Sequence, residues 1–130
     1  MDLKEIKKDI IIGTAQLYSN YGISNKNEDH NLNKSLRFLN FAKKNNFISF
    51  DTAYAYKNAH KIIGDWVLKE KCLPNIYSKI PKLKSFSKEN IIKIFNQTMG
   101  DLNIDKLKGL LLHNSKDWEN QNLKEFINNI

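Results

Sequence analysis

Four times along this chain a short apolar run gives way to a longer stretch whose apolar residues recur every three or four positions. That alternation of period 2 or less with period 3.6 constrains the fold more than any other feature. Asp9 to Thr14, built on Ile10-Ile11-Ile12 and closed by Gly13, predicts a first strand. A polar, Asn-rich stretch from Ser19 to Asn31 follows. Leu32, Leu36, Leu39 and Ala42, with Phe38 alongside, then predict a first helix that ends at Asn45-Asn46, because Asn tolerates the left-handed conformation there. Phe47 to Phe50 predicts a second strand ending at Asp51, and Ile62, Ile63, Trp66 and Val67 a second helix over about His60 to Lys71, stopped by Pro74. Ile76 to Ile80 predicts the third strand. Ser87 is placed to cap a third helix, with Glu89 in its first turn and a stripe of Ile91, Ile92, Phe95, Met99 and Leu102. Gly109 to Leu112 predicts the fourth strand, closed by His113, and Leu123, Phe126, Ile127 and Ile130 open a fourth helix.

Repeated strand–helix units imply βαβ crossovers and a parallel sheet, with strands apolar enough to be buried on both faces. Such crossovers share one hand, so the four units curl one way. Two architectures satisfy this: an open doubly wound sheet, or part of a (β/α)8 barrel. The 130 residues suffice for one compact unit, and 41% hydrophobic with 27% charged residues is a globular balance. No apolar run reaches the roughly 20 residues that cross a bilayer, and the start Met1-Asp2-Leu3-Lys4-Glu5 has no secretory layout, so a cytoplasmic location is expected. Cys72 is the one cysteine and reads as a partly buried structural thiol, and no Cys/His cluster has zinc-ligand spacing. The net charge of +7 comes from scattered lysines in an Asn-, Lys- and Ile-rich chain, without a nucleic-acid-binding motif; no nucleic acid and no membrane partner is expected.

The first strand ends in Gly-Thr-Ala and carries neither the Gly-x-Gly-x-x-Gly dinucleotide fingerprint nor a Walker loop. Polar residues recur instead at the C-terminal ends of successive strands: Asp51, Lys79 and His113, with Tyr56 five residues past Asp51. In a barrel, that rim is where active sites are built. Singly, such residues read as a turn former, a surface cation, a partial core phenol and a structural histidine. Together they make chemical sense. A phenol is a poor proton donor near neutrality; an ammonium close by favours its anion, and a carboxylate pins the ammonium. A histidine beside it can orient a carbonyl oxygen. The set can protonate an oxygen while another group delivers hydride to carbon.

At these residues the sequence resembles the aldo-keto reductase superfamily. The family's strand running into Asp-Thr-Ala with a later tyrosine stands here as Phe50-Asp51-Thr52-Ala53-Tyr54-Ala55-Tyr56. Its Ser/Thr-Lys-hydrophobic strand stands as Tyr77-Ser78-Lys79-Ile80, its leucine-rich strand ending in His as Leu110-Leu111-Leu112-His113, and its opening as Ile12-Gly13-Thr14-Ala15-Gln16. Asn20-Tyr21-Gly22-Ile23 is similar to a bacterial branch. The resemblance implies an α/β fold: parallel βα units forming the first half of a (β/α)8 TIM barrel, with residues 1–130 a single partial domain ending within the fourth helix. It implies an NADPH-dependent oxidoreductase acting on an aldehyde, ketone or sugar carbonyl, with no metal expected. Tyr56 would be the general acid, Lys79 its activating neighbour, Asp51 the lysine's ion-pair partner and His113 the carbonyl-orienting group. Gly13, Thr14 and Ala15, with Asp51 nearby, would flank the nicotinamide.

Two departures accompany the resemblance. After the tyrosine the family reads Gly-x-Ser-Glu, whereas this chain reads Lys57-Asn58-Ala59-His60, which removes the usual polar anchors at the start of the second helix; Ile63-Gly64 keeps the family's following pair. A barrel of this type takes about 250 residues, and the family's phosphate and adenine contacts come from its later strands. This chain alone is therefore expected to be weakly active or inactive, with unpaired sheet edges open to self-association. The alternative is a non-catalytic half-barrel that acts through dimerisation or an anionic partner.

Overall fold

The structure is a computed structural model that describes residues 6–7, 9–17, 32–56, 58–82 and 87–128. The Asn20 to Ile23 segment, the polar stretch around it, Lys57 and Ile130 lie outside the described residues. Four strands, β1 (Ile11–Gly13), β2 (Ser49–Asp51), β3 (Asn75–Ile80) and β4 (Gly109–Leu112), alternate with α1 (Leu32–Lys44), α2 (Ala59–Glu70), α3 (Lys88–Leu102) and α4 (Gln121–Asn128); a 3-10 turn, Ser115–Glu119, precedes α4. The strands form one parallel sheet in the order β1-β2-β3-β4. Sequential order is what three crossovers of the same hand produce, and it excludes the doubly wound alternative, in which the order reverses.

Register assigns the two faces. Ile12, Phe50 and Ile76 stand side by side, as do Ser78 with Leu110 and Ile80 with Leu112. Phe50 and Ile76 are fully buried and pack with Leu39, Ala42, Ile62, Ile63, Trp66, Val67 and Leu102 from the helices. The Trp66 indole meets Phe50 edge-on at 5.8 Å, and its N–H donates to Asn40 on α1 at 2.8 Å. That one side chain joins α2 to the sheet and to α1, filling the core while its single donor is satisfied. A second, smaller cluster of Ile80, Ile91 and Leu123 seats α3 and α4. Because side chains alternate along a strand, the other face carries Ile11, Ser49 and Asn75 in one row, Gly13, Asp51, Tyr77 and Gly109 in the next, and Lys79 with Leu111 above. The helix-packed core lies wholly behind the first face.

The helix boundaries follow local chemistry. Asn46 (φ 62°), Lys71 (φ 47°) and Asn103 (φ 52°) take left-handed conformations at the ends of α1, α2 and α3. α2 therefore stops at Lys71, before Pro74 is reached. Ser87 caps α3, its hydroxyl accepting from the Asn90 N–H at 3.2 Å, and Glu89 is held below the usual carboxylate range by a backbone N–H and the Ser87 hydroxyl. The buried stripe of α3 differs from the spacing prediction: Ile91, Thr98 and Leu102 are buried, whereas Ile92 and Phe95 are exposed. Phe95 stands beside Ile91 and Thr98, over Ile80 and Leu110 of the sheet, and still leaves part of its ring uncovered.

Candidate active site

The end of each strand stays hydrogen-bonded to its neighbour, which builds a rigid rim. The Thr14 N–H and hydroxyl both donate to the Asp51 carbonyl, at 2.9 and 3.0 Å. The Thr52 N–H donates to Tyr77 (2.8 Å) and the His113 N–H to Ile80 (3.1 Å). Asp51 is thus the last residue of β2, Lys79 the next-to-last of β3, and His113 follows β4 directly. Tyr56 enters from the β2–α2 connection, a pair of turns closed by Tyr56 N–H to the Ala53 carbonyl and Ala59 N–H to the Tyr56 carbonyl, both 3.0 Å.

Within this rim the four expected residues form one chain of contacts. The Lys79 ammonium forms an ion pair with the Asp51 carboxylate and donates a further hydrogen bond to the Thr52 carbonyl at 3.3 Å. It lies 5.4 Å from the centre of the Tyr56 ring. The Tyr56 and His113 rings meet edge-on, 6.0 Å apart at 76°. One side-chain carboxylate and one backbone carbonyl hold an otherwise flexible lysine, so its charge sits at a defined place beside the Tyr56 ring. Lys79 is largely shielded and Asp51 about a third exposed, so the pair faces the mouth of the curled sheet. His113 Nδ1 is buried without a hydrogen-bond partner, as is Thr52 Oγ1. An unmet buried polar atom costs on the order of 1–3 kcal/mol.

The residues expected to flank a nicotinamide behave differently from one another. Gly13 is exposed, and a Cβ built there meets no atom within 4 Å, so the end of β1 leaves open space over the rim. Thr14 is buried, and its hydroxyl is taken by Asp51; Ala15 is half-buried behind it. Room beside Gly13 and an anchored Asp51–Lys79 pair fit the nicotinamide end of a cofactor. Trp118, in the turn after β4, is exposed. Among the described residues no group of three or more His, Cys, Asp or Glu is arranged to hold a metal ion, and no helix is long and apolar enough to cross a membrane. Burial pushes the Cys72 thiol up, away from the reactive thiolate.

One polar residue was not singled out by its own spacing. His60, at the start of α2, is buried and hydrogen-bonded through Nε2 to the Ser78 hydroxyl at 3.1 Å, and the Tyr54 ring meets it edge-on at 6.5 Å. The helix start does lack a side-chain cap at Asn58, as the loss of the Ser-Glu pair implied. A polar anchor nevertheless remains, transferred to His60. The signal was present in the departure itself, since His60 stands where a buried-end polar residue is usual.

A parallel sheet of four βα units in sequential order, with polar groups gathered at its C-terminal rim, is half of a (β/α)8 barrel. The sequence profile of the Aldo/keto reductase family matches residues 9–128, and the chain belongs to that family. Among solved structures it is similar to a Pseudomonas aeruginosa protein described as an aldo-keto reductase, with a TM-score of 0.73 and 18% identity over 91% of this chain and 49% of that one. It is likewise similar to a thermostable aldo-keto reductase solved with the inhibitor epalrestat, with a TM-score of 0.67 and 17% identity over 92% of this chain and 44% of that one. The chain thus spans about half the length of these structures. The curated proteins give no match to the sequence.

Proposed function

We propose that the rim built by Asp51, Lys79, Tyr56 and His113 is the catalytic site of an NADPH-dependent carbonyl reductase. The observation that carries this reading is the unbroken contact chain from the Asp51 carboxylate through the Lys79 ammonium to the Tyr56 ring and on to His113. Asp51 holds the ammonium in place. Lys79, its charge fixed beside the phenol, favours the negative charge that develops on the Tyr56 oxygen as its proton leaves. Tyr56 delivers that proton to the oxygen of an aldehyde, ketone or sugar carbonyl. With His113 Nδ1 sealed inside the protein, Nε2 is the nitrogen that meets an oxygen arriving from the mouth. When bound, the nicotinamide supplies the hydride to the carbonyl carbon. Gly13 gives it room, Thr14 fixes β1 to the Asp51 carbonyl through its N–H and hydroxyl, and Ala15 follows at the same strand end.

Titrating the purified chain with NADPH, followed by cofactor fluorescence, tests the reading. Because the family's phosphate and adenine contacts come from its later strands, only a weak change at high micromolar cofactor is expected, weakened further by Gly13→Trp, which fills the open space at the end of β1. No change at high micromolar cofactor overturns the assignment of a cofactor site to this chain.

A further inference from the structure

The connection that carries Tyr56 is tied to β3 on both sides of the tyrosine. Ahead of it, the Thr52 N–H donates to the Tyr77 carbonyl at 2.8 Å and the Tyr54 N–H to the Lys79 carbonyl at 3.4 Å. Behind it, His60 in the first turn of α2 is hydrogen-bonded through Nε2 to the Ser78 hydroxyl at 3.1 Å. Tyr77, Ser78 and Lys79 are consecutive, and Lys79 is the residue whose ammonium faces the Tyr56 ring. Tyr54 closes the outer side: its ring meets His60 edge-on, and its hydroxyl donates to Gln97 on α3 at 2.9 Å. Stability does not account for the His60–Ser78 bond. Both side chains are buried, Ser78 on the helix-packed face beside Leu110. An apolar pair of similar shape fills such a place at little or no loss, because replacing both partners leaves nothing unmet. What an apolar pair does not supply is direction, since a hydrogen bond weakens steeply as it bends while apolar contacts tolerate sliding. Asn58 gives α2 no side-chain cap, which leaves the first turn to be fastened by His60.

We infer that His60 and Ser78 are a positioning pair that sets where the Tyr56 ring stands against the Lys79 ammonium. His60 follows Tyr56 by four residues, about one helical turn, and Ser78 immediately precedes Lys79. A directional bond between them therefore closes a short loop of chain around the two functional side chains. One arm of that loop is a turn running into a helix. The other is a single step along a strand paired on both sides, to β2 and to β4. Little backbone freedom is left between the phenol and the cation. His60 and Ser78 lie on the helix side of the sheet, away from the mouth, so they act through the chain they anchor. A displacement of about 1 Å between reacting groups can slow a reaction on the order of 10²-fold. A buried directional tie at this place thus serves proton transfer more than folding. That consequence rests on the reductase reading; the tie itself does not.

Replacing both partners at once, His60→Leu with Ser78→Ala, removes the bond and leaves no polar group unmet. At pH 7 the urea midpoint of this double variant is expected to match the wild type. Nuclear Overhauser contacts between the Tyr56 and His113 rings, which meet edge-on, are expected to fade. The Tyr56 and Ala59 amides are expected to exchange about 3- to 10-fold faster, with the exchange of Ile63 and Trp66 in the body of α2 unchanged. His60→Gln, which keeps a hydrogen-bonding partner for Ser78, is expected to retain the ring contacts and the slow exchange. A lower midpoint in the double variant overturns the inference, because the pair is then an ordinary stabilising bond. So do ring contacts and amide exchange that match the wild type, or a His60→Gln variant that loses both. These signals need no turnover, so a wild-type chain that reduces no carbonyl counts against the reductase reading and leaves the positioning pair in place.

Discussion

A neutral imidazole in a dry site is unstable to acid, and His60 occupies such a site. It is 3% exposed, and burial lowers its pKa from 6.5 to about 4, against a smaller opposing effect of Asp101. The folded protein therefore binds the His60 proton less readily than the unfolded chain. Its contribution is fully present above pH 6.5 and is lost as the pH falls from 6.5 toward 4. At 1.36 kcal/mol per unit the loss is of order 3 kcal/mol. Urea unfolding at pH 7 and pH 4.5 should show that decline in the wild type and a smaller one in His60→Gln, which keeps a donor for Ser78 but cannot charge. Equal declines in the two proteins would place the acid sensitivity elsewhere. The same residue shows how far sequence reasoning reaches: His60 was visible as a substitution in a familiar stretch, but nothing in its spacing pointed to Ser78, eighteen positions away.

Where α2 crosses α3, Gly64 sits directly against the α3 C-terminus. A methyl group there would collide with the Asp101 carbonyl and crowd Asn103. Backbone cannot move aside as a flexible side chain can, so Gly64→Ala should cost about 1–3 kcal/mol, measured as a lower urea midpoint with an unchanged slope. Wild-type stability in this variant would mean that the two helices are not in such close contact. At this scale most of the fold was legible. The β4 limits, Gly109 to Leu112, follow from the apolar run itself, and Ile62, Ile63, Trp66 and Val67 are all buried as their spacing implies. The misread positions have a common cause. Ile92, Phe95, Leu32 and Phe38 are apolar yet exposed, because a periodic pattern reports that a helix has an apolar side but not how wide its covered strip is. Strand limits shifted for a related reason: Phe47 and Ile48 precede β2, since pairing depends on a neighbour that local sequence does not contain.

Over the whole molecule, the candidate site is a property of topology before it is a property of any residue. Asp51, Tyr56, Lys79 and His113 are spread over 63 positions of the sequence, and they meet because three consecutive parallel strands end at one rim. Each was legible as a polar residue at or after a strand end. Their mutual contact needed the register of β2, β3 and β4, which only the folded sheet supplies. What reads directly from the order of units is that the rim faces one way; what does not is the identity of the Lys79 anchors, since the Thr52 carbonyl carries no sequence signal.

The proton-transfer role of Tyr56 can be read in a single turnover. The chain, in large excess over an aromatic aldehyde and supplied with high micromolar NADPH, is followed through nicotinamide absorbance so that even weak turnover is read, and the trace is repeated with Tyr56→Phe. Removing the general acid is expected to slow cofactor oxidation by about 10²- to 10⁴-fold, with NADPH binding unchanged. Equal rates in the two proteins would contradict the account.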